Sequence, residues 1–121
     1  MYQKDFFYSL LICLSLLATP ALKNQSKWMT MHDFMEDFTK PATKLYKKGE
    51  KEKLKIITDF IPHIALKKDR SKWKEIVQKA KQTGNLRRSC KSCHKLYKRK
   101  YKRTYKRRLI EIPPHILKLS P

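Results

Sequence analysis

Apolar residues recur every three or four positions along most of the chain, a spacing typical of amphipathic helices. In residues 26–48 one such stripe consists of Trp28, Met31, Met35, Phe38, Ala42 and Leu45. Ser26 is a suitable N-terminal cap for this helix, Pro41 is expected to kink or divide it, and Gly49 to end it. The pattern therefore predicts a long first helix with an apolar face.

Three further helices are predicted downstream by the same spacing. They cover residues 50–61, 71–83 and about 86–108, and residues 67–70 are expected to form a polar loop. Four amphipathic helices with short links predict an all-α fold, an antiparallel four-helix bundle. Two prolines follow the fourth helix, so residues 113–121 are expected to form an extended C-terminal tail.

The N-terminal segment differs in composition from the rest of the chain. Residues 6–18 carry no charge, follow Lys4 and lead into small residues, which is the pattern of a secretory signal. We expect residues 1–21 to be a signal peptide cleaved after Ala21, with Ala18 as the second choice. An uncleaved N-terminal membrane anchor is the alternative, although the apolar run is shorter than the roughly 20 residues of a spanning helix.

Composition narrows the classes of function. The chain has 121 residues, with 30 Lys and Arg against 10 Asp and Glu, and its net charge is +20. This length favours a single domain, which we place at residues 22–112. Two glycines argue against a turn-rich β fold, and the common glycine-rich phosphate-binding motifs are absent from the sequence.

One motif carries recognisable chemistry: Cys90-Lys91-Ser92-Cys93-His94, a CxxCH. Two thiols at this spacing can bond to the two vinyl groups of one haem, and the adjacent imidazole can then bind its iron. The predicted export fits, because this attachment is made outside the cytoplasm. The alternatives are a thioredoxin-like redox pair, a zinc site, and a reactive dithiol whose pKa is lowered by the flanking Lys and Arg.

The position of this motif at the start of the last helix resembles the cytochrome c′-like family of exported four-helix bundles. Residues 89–98 are similar to the CxxCHxxYR run of that family, with Lys98 in place of the arginine. The stretch 40–42 and Trp73 also look like the family. The resemblance implies one haem c held through Cys90 and Cys93, with His94 as the proximal iron ligand.

The opposite side of the iron is covered by the first helix in that family. Counting back from the proline of that helix, the resemblance implies that Met31 is the sixth ligand, with Met35 as the second choice. His32 and His63 are further alternatives. Some family members have a methionine there and carry electrons, whereas others leave the iron five-coordinate and bind small gases.

The predicted fourth helix is strongly basic. Residues 87–108 contain twelve Lys and Arg and no acid, with tyrosines at four-residue steps. We expect Tyr97 and Tyr101 to pack beside the haem, and Tyr105 to extend past the end of the bundle. Interleaved aromatic and basic residues are also found in nucleic-acid-binding proteins, an interpretation that the export signal and the CxxCH disfavour.

These observations predict a periplasmic single-haem c-type cytochrome that transfers electrons and catalyses no reaction of its own. Its expected partner is an acidic redox protein or an anionic membrane surface. The resemblance also implies dimerisation, which the high charge opposes. Two other hypotheses are a gas-binding haem protein for nitric oxide or carbon monoxide, and a basic helical module that binds nucleic acid or membranes.

Overall fold

The computed structural model describes residues 24–121, so the predicted signal segment lies outside the described residues. This part of the chain is mostly helical, as expected for the all-α class, with one small antiparallel sheet. The elements are β1 (Lys27–Thr30), α1 (Met31–Phe34, Met35–Thr39 and Lys40–Lys47), α2 (Glu52–Ile64), α3 (Lys67–Gln82), α4 (Arg87–Lys100, continued by Tyr101–Tyr105), β2 (Leu109–Ile112) and α5 (Pro114–Leu117). No helix within residues 24–121 is long and apolar enough to cross a bilayer.

The first helix begins later than the apolar spacing predicts. Residues 27–30 form strand β1, and Thr30 rather than Ser26 is the N-cap of α1. The Thr30 hydroxyl accepts a hydrogen bond from the Asp33 backbone N–H at 3.1 Å and donates one to the Asp33 carboxylate at 2.7 Å. This reciprocal capping competes successfully with a longer helix.

The helix α1 passes through Pro41 by way of a wider turn. Residues Met35–Thr39 form a π-helical turn, in which the Lys40 backbone N–H donates to the Met35 carbonyl five positions back. A proline inside a regular α-helix removes one hydrogen bond and clashes with the preceding turn. The π-turn directly before Pro41 accommodates that defect, so the helix continues to Lys47 instead of dividing.

Two other boundaries differ from the sequence-based prediction. Helix α2 continues through Pro62 to Ile64 because Pro62 and Ile64 are buried in the core. The expected polar loop at residues 67–70 is instead the first turn of α3. The predicted ends at Gly49 and Gly84 are confirmed, since both adopt positive φ angles, 98° and 66°.

A two-stranded antiparallel sheet joins the two ends of the described chain. Met29 pairs with Ile110, and Lys27 pairs with Ile112. Met29, Ile110 and Ile112 face the core, whereas the neighbouring positions point outward. Strands were not predicted, because four residues are too few for a clear alternating pattern.

The C-terminal segment is not the extended tail that we expected. Residues Pro114–Leu117 form the short helix α5, and the Ile116 side chain is fully buried. Proline at the first helical position suits a helix start, and burial of an isoleucine side chain contributes about 1.5–3 kcal/mol. These two effects hold the segment against the rest of the fold.

The core lies between the helices and the inner face of the sheet, and α1–α2, α2–α3 and α3–α4 pack against each other in chain order. The core is one cluster of buried side chains: Met29, Met31, Phe34, Phe38, Ala42, Leu54, Ile57, Ile61, Ile64, Ala65, Trp73, Leu86, Tyr105, Ile110, Ile112 and Ile116.

Tyr105, expected to project past the end of the helices, is instead among the largest fully buried side chains. Its hydroxyl donates to the Asp69 carboxylate at 2.6 Å and accepts the Leu66 backbone N–H at 3.1 Å. The Lys100 ammonium donates to the other Asp69 oxygen at 2.6 Å. The prediction was wrong because a buried acid from α3, distant in sequence, supplies the partner that the tyrosine hydroxyl needs.

This network sets the charge state of Asp69. Burial raises the pKa of the Asp69 carboxyl, but the hydrogen bonds from Lys100 and Tyr105 together outweigh burial and bring the pKa below its ordinary value. Burial and the Asp69 charge both raise the pKa of Tyr105, which keeps its hydroxyl protonated. The pKa of Asp69 is lower in the folded state than in the unfolded state. The ionised carboxylate therefore contributes to the free energy of unfolding at neutral pH, and this contribution is lost as the pH falls below about 4.

Replacing Tyr105 by phenylalanine tests the network. We expect Tyr105→Phe to lower the free energy of unfolding by about 1–3 kcal/mol at pH 7, because Asp69 and the Leu66 N–H each lose a buried partner. Urea unfolding monitored by circular dichroism measures this change in the free energy of unfolding. Tyr46→Phe is the matched control, since the Tyr46 hydroxyl also bridges backbone groups, at 3.3 Å and in a more exposed position. Equal losses in the two variants would contradict the central role of Tyr105.

Candidate cofactor attachment site

The CxxCH motif occupies the first turns of α4, where the chain restarts after the positive-φ turn at Gly84. Leu86 is buried at the start of this helix, and its backbone N–H donates to the Tyr46 hydroxyl of α1 at 3.3 Å. The Ser89 hydroxyl is buried and donates to the Leu86 carbonyl at 2.6 Å. The contact between Leu86 and Tyr46 therefore fixes the start of α4 against α1, just before the cysteines in the chain.

Cys90 and Cys93 are free, half-buried cysteines that lie three positions apart on α4. His94 follows directly and is exposed, four positions after Cys90 and thus on the same side of the helix. The two sulfurs and the imidazole are placed on adjacent parts of one helical surface. This is the arrangement in which two thiols and one nitrogen ligand can hold a single planar cofactor.

The thiols are not activated in the folded chain. Burial raises the pKa of Cys90 despite a hydrogen bond from Ser89 and the nearby Arg87 charge. Burial and the neighbouring Cys90 raise the pKa of Cys93 to about 11. The expectation that flanking cations lower the thiol pKa was wrong, because loss of water around the sulfurs outweighs the exposed charges.

Tyr97 lies one turn after Cys93 and packs against the core. Its ring meets Trp73 of α3 edge-on, with the ring centroids 5.6 Å apart. Tyr105 contacts the same indole, with a centroid distance of 5.0 Å. Trp73 therefore fixes the inner face of α4 over the turns that follow the cysteines.

Two buried polar groups within residues 24–121 lack a hydrogen-bond partner. They are the indole Nε1 of Trp73 and the Thr39 hydroxyl of α1. An unmet buried donor costs about 1–3 kcal/mol and calls for an explanation. Trp73 contacts Tyr97 and Tyr105, so its indole lies against the part of α4 that follows the cysteines. The donor set that suits a haem is the pair of thiols with the adjacent imidazole. Sequence reasoning missed these donors, because periodicity shows that Trp73 is buried and cannot show that its N–H has no partner.

Met31 is fully buried at the other end of α4. Its backbone N–H donates to the Arg108 carbonyl at 2.9 Å, beyond the end of the helix. His94 precedes Tyr105 by eleven residues, which is about 16 Å along a helix. The structure thus brings Cys90, Cys93, His94 and Tyr97 together on α4 but does not bring Met31 to them. Met35 lies only one turn further along α1 and is partly buried.

Other sites for metal ions find no support in the described part of the chain. No three His, Cys, Asp or Glu side chains within residues 24–121 are gathered so that they could hold a metal ion. His32, His63 and His115 are all exposed, like His94. Two surface cavities, one beside Met29 and one beside Phe60, do not reach the cysteines.

The raised thiol pKa values predict slow chemistry in the folded, haem-free chain. At pH 8 we expect Cys93 to react with a maleimide about two orders of magnitude more slowly in the native state than in urea, because the thiolate is the reacting form. Mass spectrometry of samples taken over time measures both rates. Cys90→Ser isolates the Cys93 signal, and a native rate equal to the unfolded one would contradict the burial of this thiol.

Comparison with known proteins leaves this site without an established counterpart. No family model matches the chain, and neither a curated protein nor a solved structure matches it. The resemblance of residues 89–98 to the cytochrome c′-like family therefore stays a prediction from those residues. The function of the site is inferred from its side chains and their surroundings.

Proposed function

We propose that this chain is an exported single-haem c-type cytochrome that carries electrons. The observation that carries the proposal is the order Cys90, Cys93, His94 on the first turns of one helix, with both thiols free. A zinc site would need additional ligands, and none is gathered with these thiols within residues 24–121. A reactive dithiol would need a lowered thiol pKa, whereas burial raises the pKa of both cysteines.

Each residue of the site has a specific task in this proposal. The sulfurs of Cys90 and Cys93 form thioether bonds to the cofactor, and the exposed His94 imidazole binds the iron. Tyr97, one turn after Cys93, packs edge-on against Trp73 and holds this part of α4 on the core. When bound, haem supplies an iron that alternates between the ferric and ferrous states.

The same proposal includes the architecture and location of the protein. Helices α1 to α4 pack in chain order, which supports an antiparallel four-helix bundle around the cofactor. Thioether attachment outside the cytoplasm agrees with residues 1–21 being a cleaved signal peptide. We therefore place the mature chain in the periplasm.

Gas binding is the second candidate, and the position of Met31 favours it. The Met31 backbone is hydrogen-bonded to Arg108, at the end of α4 away from His94, so the described packing does not bring the Met31 sulfur to the candidate site. An iron held by His94 alone would be able to bind a small molecule such as carbon monoxide or nitric oxide. A spectrum that shifts on adding carbon monoxide would favour this candidate over the electron carrier.

Covalent attachment is tested by the mass of the protein made together with a c-type cytochrome maturation system. We expect the mature chain to carry the added mass of one haem, and the double variant Cys90→Ser, Cys93→Ser to carry none. Ser92→Ala is the matched control within the motif, since it keeps both sulfurs and the imidazole. Bare polypeptide mass in the unaltered chain would refute the proposal.

The role of Met31 is tested by Met31→Leu, which keeps the buried volume and removes the sulfur. We expect the haem spectrum in both oxidation states to stay unchanged and the stability to fall by less than about 1.5 kcal/mol. Optical spectra and urea unfolding measure the two effects. Conversion from a low-spin to a high-spin spectrum would show instead that Met31 reaches the iron, as the family resemblance implies.

A further inference from the structure

The outer surface of α4 and of the turn that follows it is a continuous row of positive charge. We call it the α4 basic face, and its exposed members are Arg88, Lys91, Lys95, Lys98, Arg99, Lys102, Arg103, Lys106 and Arg107. From Arg88 to Arg107 the row spans about 30 Å of helix. Its positions recur every three or four residues, so the side chains follow one another along the solvent side.

Negative charge within the described residues does not neutralise this face. All the ion pairs found there outside α4 join residues of α1, α2 and α3, namely Lys40–Glu36, Lys72–Glu75, Lys79–Glu75 and Lys81–Asp59. The only ion pair of α4 found in residues 24–121 joins Lys100 to Asp69, on the inner side. Like charges at this density repel one another, so the face favours a negatively charged counterpart.

The three tyrosines of α4 face the core, and none of them is among the exposed residues. Tyr105 is fully buried, and Tyr97 and Tyr101 pack against the core. Single-stranded nucleic acids gain much of their binding energy from stacking on exposed aromatic rings. The inward orientation of these tyrosines removes the feature that suggested such binding in the sequence.

A lipid surface is also a poor match. Helices that lie on membranes insert several apolar side chains next to their cations. The exposed large apolar side chains within residues 24–121 are Leu96 on α4, at 60 %, and Trp28 and Leu109 on the sheet, so only one of them lies among the cations of α4. A folded acidic protein needs no inserted apolar side chains, and weak, charge-steered contacts are typical of partners that exchange electrons.

We propose that the α4 basic face is the docking surface for an acidic protein that exchanges electrons with the cofactor. The exposed His94 and the cations Lys91 and Lys95 lie within the same turns as Cys90 and Cys93. A partner seated on this face is therefore held directly beside the attachment site. This role in electron exchange rests on the proposed function, whereas the preference for an acidic surface rests on α4 alone.

Binding is tested on the full mature chain with a polyglutamate of 20 residues as the probe. Lys95→Glu, Lys98→Glu changes the α4 basic face, and Lys55→Glu, Lys74→Glu is the control with the same change in net charge on exposed positions of α2 and α3. We expect the first pair to weaken binding about tenfold and the control less than about threefold, with both effects shrinking at high salt. Equal losses would overturn the docking surface.

Two further probes distinguish other partners. Vesicles with phosphatidylglycerol and a single-stranded oligothymidine are titrated against the same variants. The Lys95→Glu, Lys98→Glu pair could weaken binding of the vesicles or of the oligothymidine more than it weakens binding of polyglutamate. That result would overturn the assignment to an acidic protein. Circular dichroism of every variant checks that helicity is retained.

Electron exchange is tested separately with the haem-loaded protein. The anionic oxidant ferricyanide should oxidise the ferrous Lys91→Glu, Lys95→Glu variant about tenfold more slowly than the parent, while an uncharged quinone oxidant is unaffected. Equal ferricyanide rates would overturn the electron-exchange role. If the chain made with the maturation system carries no haem, the proposed function fails. If its polyglutamate binding still depends on the α4 basic face, the acidic docking surface stands.

Discussion

The hydrogen bond between the Tyr105 hydroxyl and the Asp69 carboxylate connects the end of α4 to the beginning of α3. Helix α4 carries nine Lys and Arg side chains between Arg87 and Tyr105, and this hydrogen bond anchors the far end of that basic helix to the core. Asp69 is a buried acid that also binds Lys100, and Tyr105 in turn satisfies the backbone at Leu66. Because Trp73 contacts both Tyr97 and Tyr105, the same interaction fixes the inner side of α4 up to the turn that follows the cysteines.

The sequence predicted the helical content of the chain, but it did not predict where several of the helices and strands begin and end. A repeat of three to four residues reports which face is apolar, and positive-φ glycines at 49 and 84 mark two true helix ends. Strand β1 and the late start of α1 depend on Thr30, whose capping role competes with that of Ser26, and on a partner strand about 80 residues away. Such pairings arise from tertiary packing and leave almost no local signal.

The candidate site, too, was only partly accessible from the sequence. Cys90, Cys93 and His94 lie within five residues, so their order along the chain already contains their mutual geometry on a helix. The protonation of the thiols and the unmet Trp73 donor depend on water excluded by other helices, which no local motif encodes. The position of Met31 was hardest to foresee, because counting along α1 says nothing about which level of α4 it faces.

The small sheet has a consequence for how the molecule can be handled. Because β2 follows the end of α4 and pairs with β1, the small sheet lies at that end of the helix. The first turns of α4, with Cys90 and Cys93, lie about 18 Å of helix away from Tyr105 at that end. A surface linker joined to an exposed residue of the sheet, such as Lys27, would therefore immobilise the molecule with its cysteine-bearing end directed toward the solution.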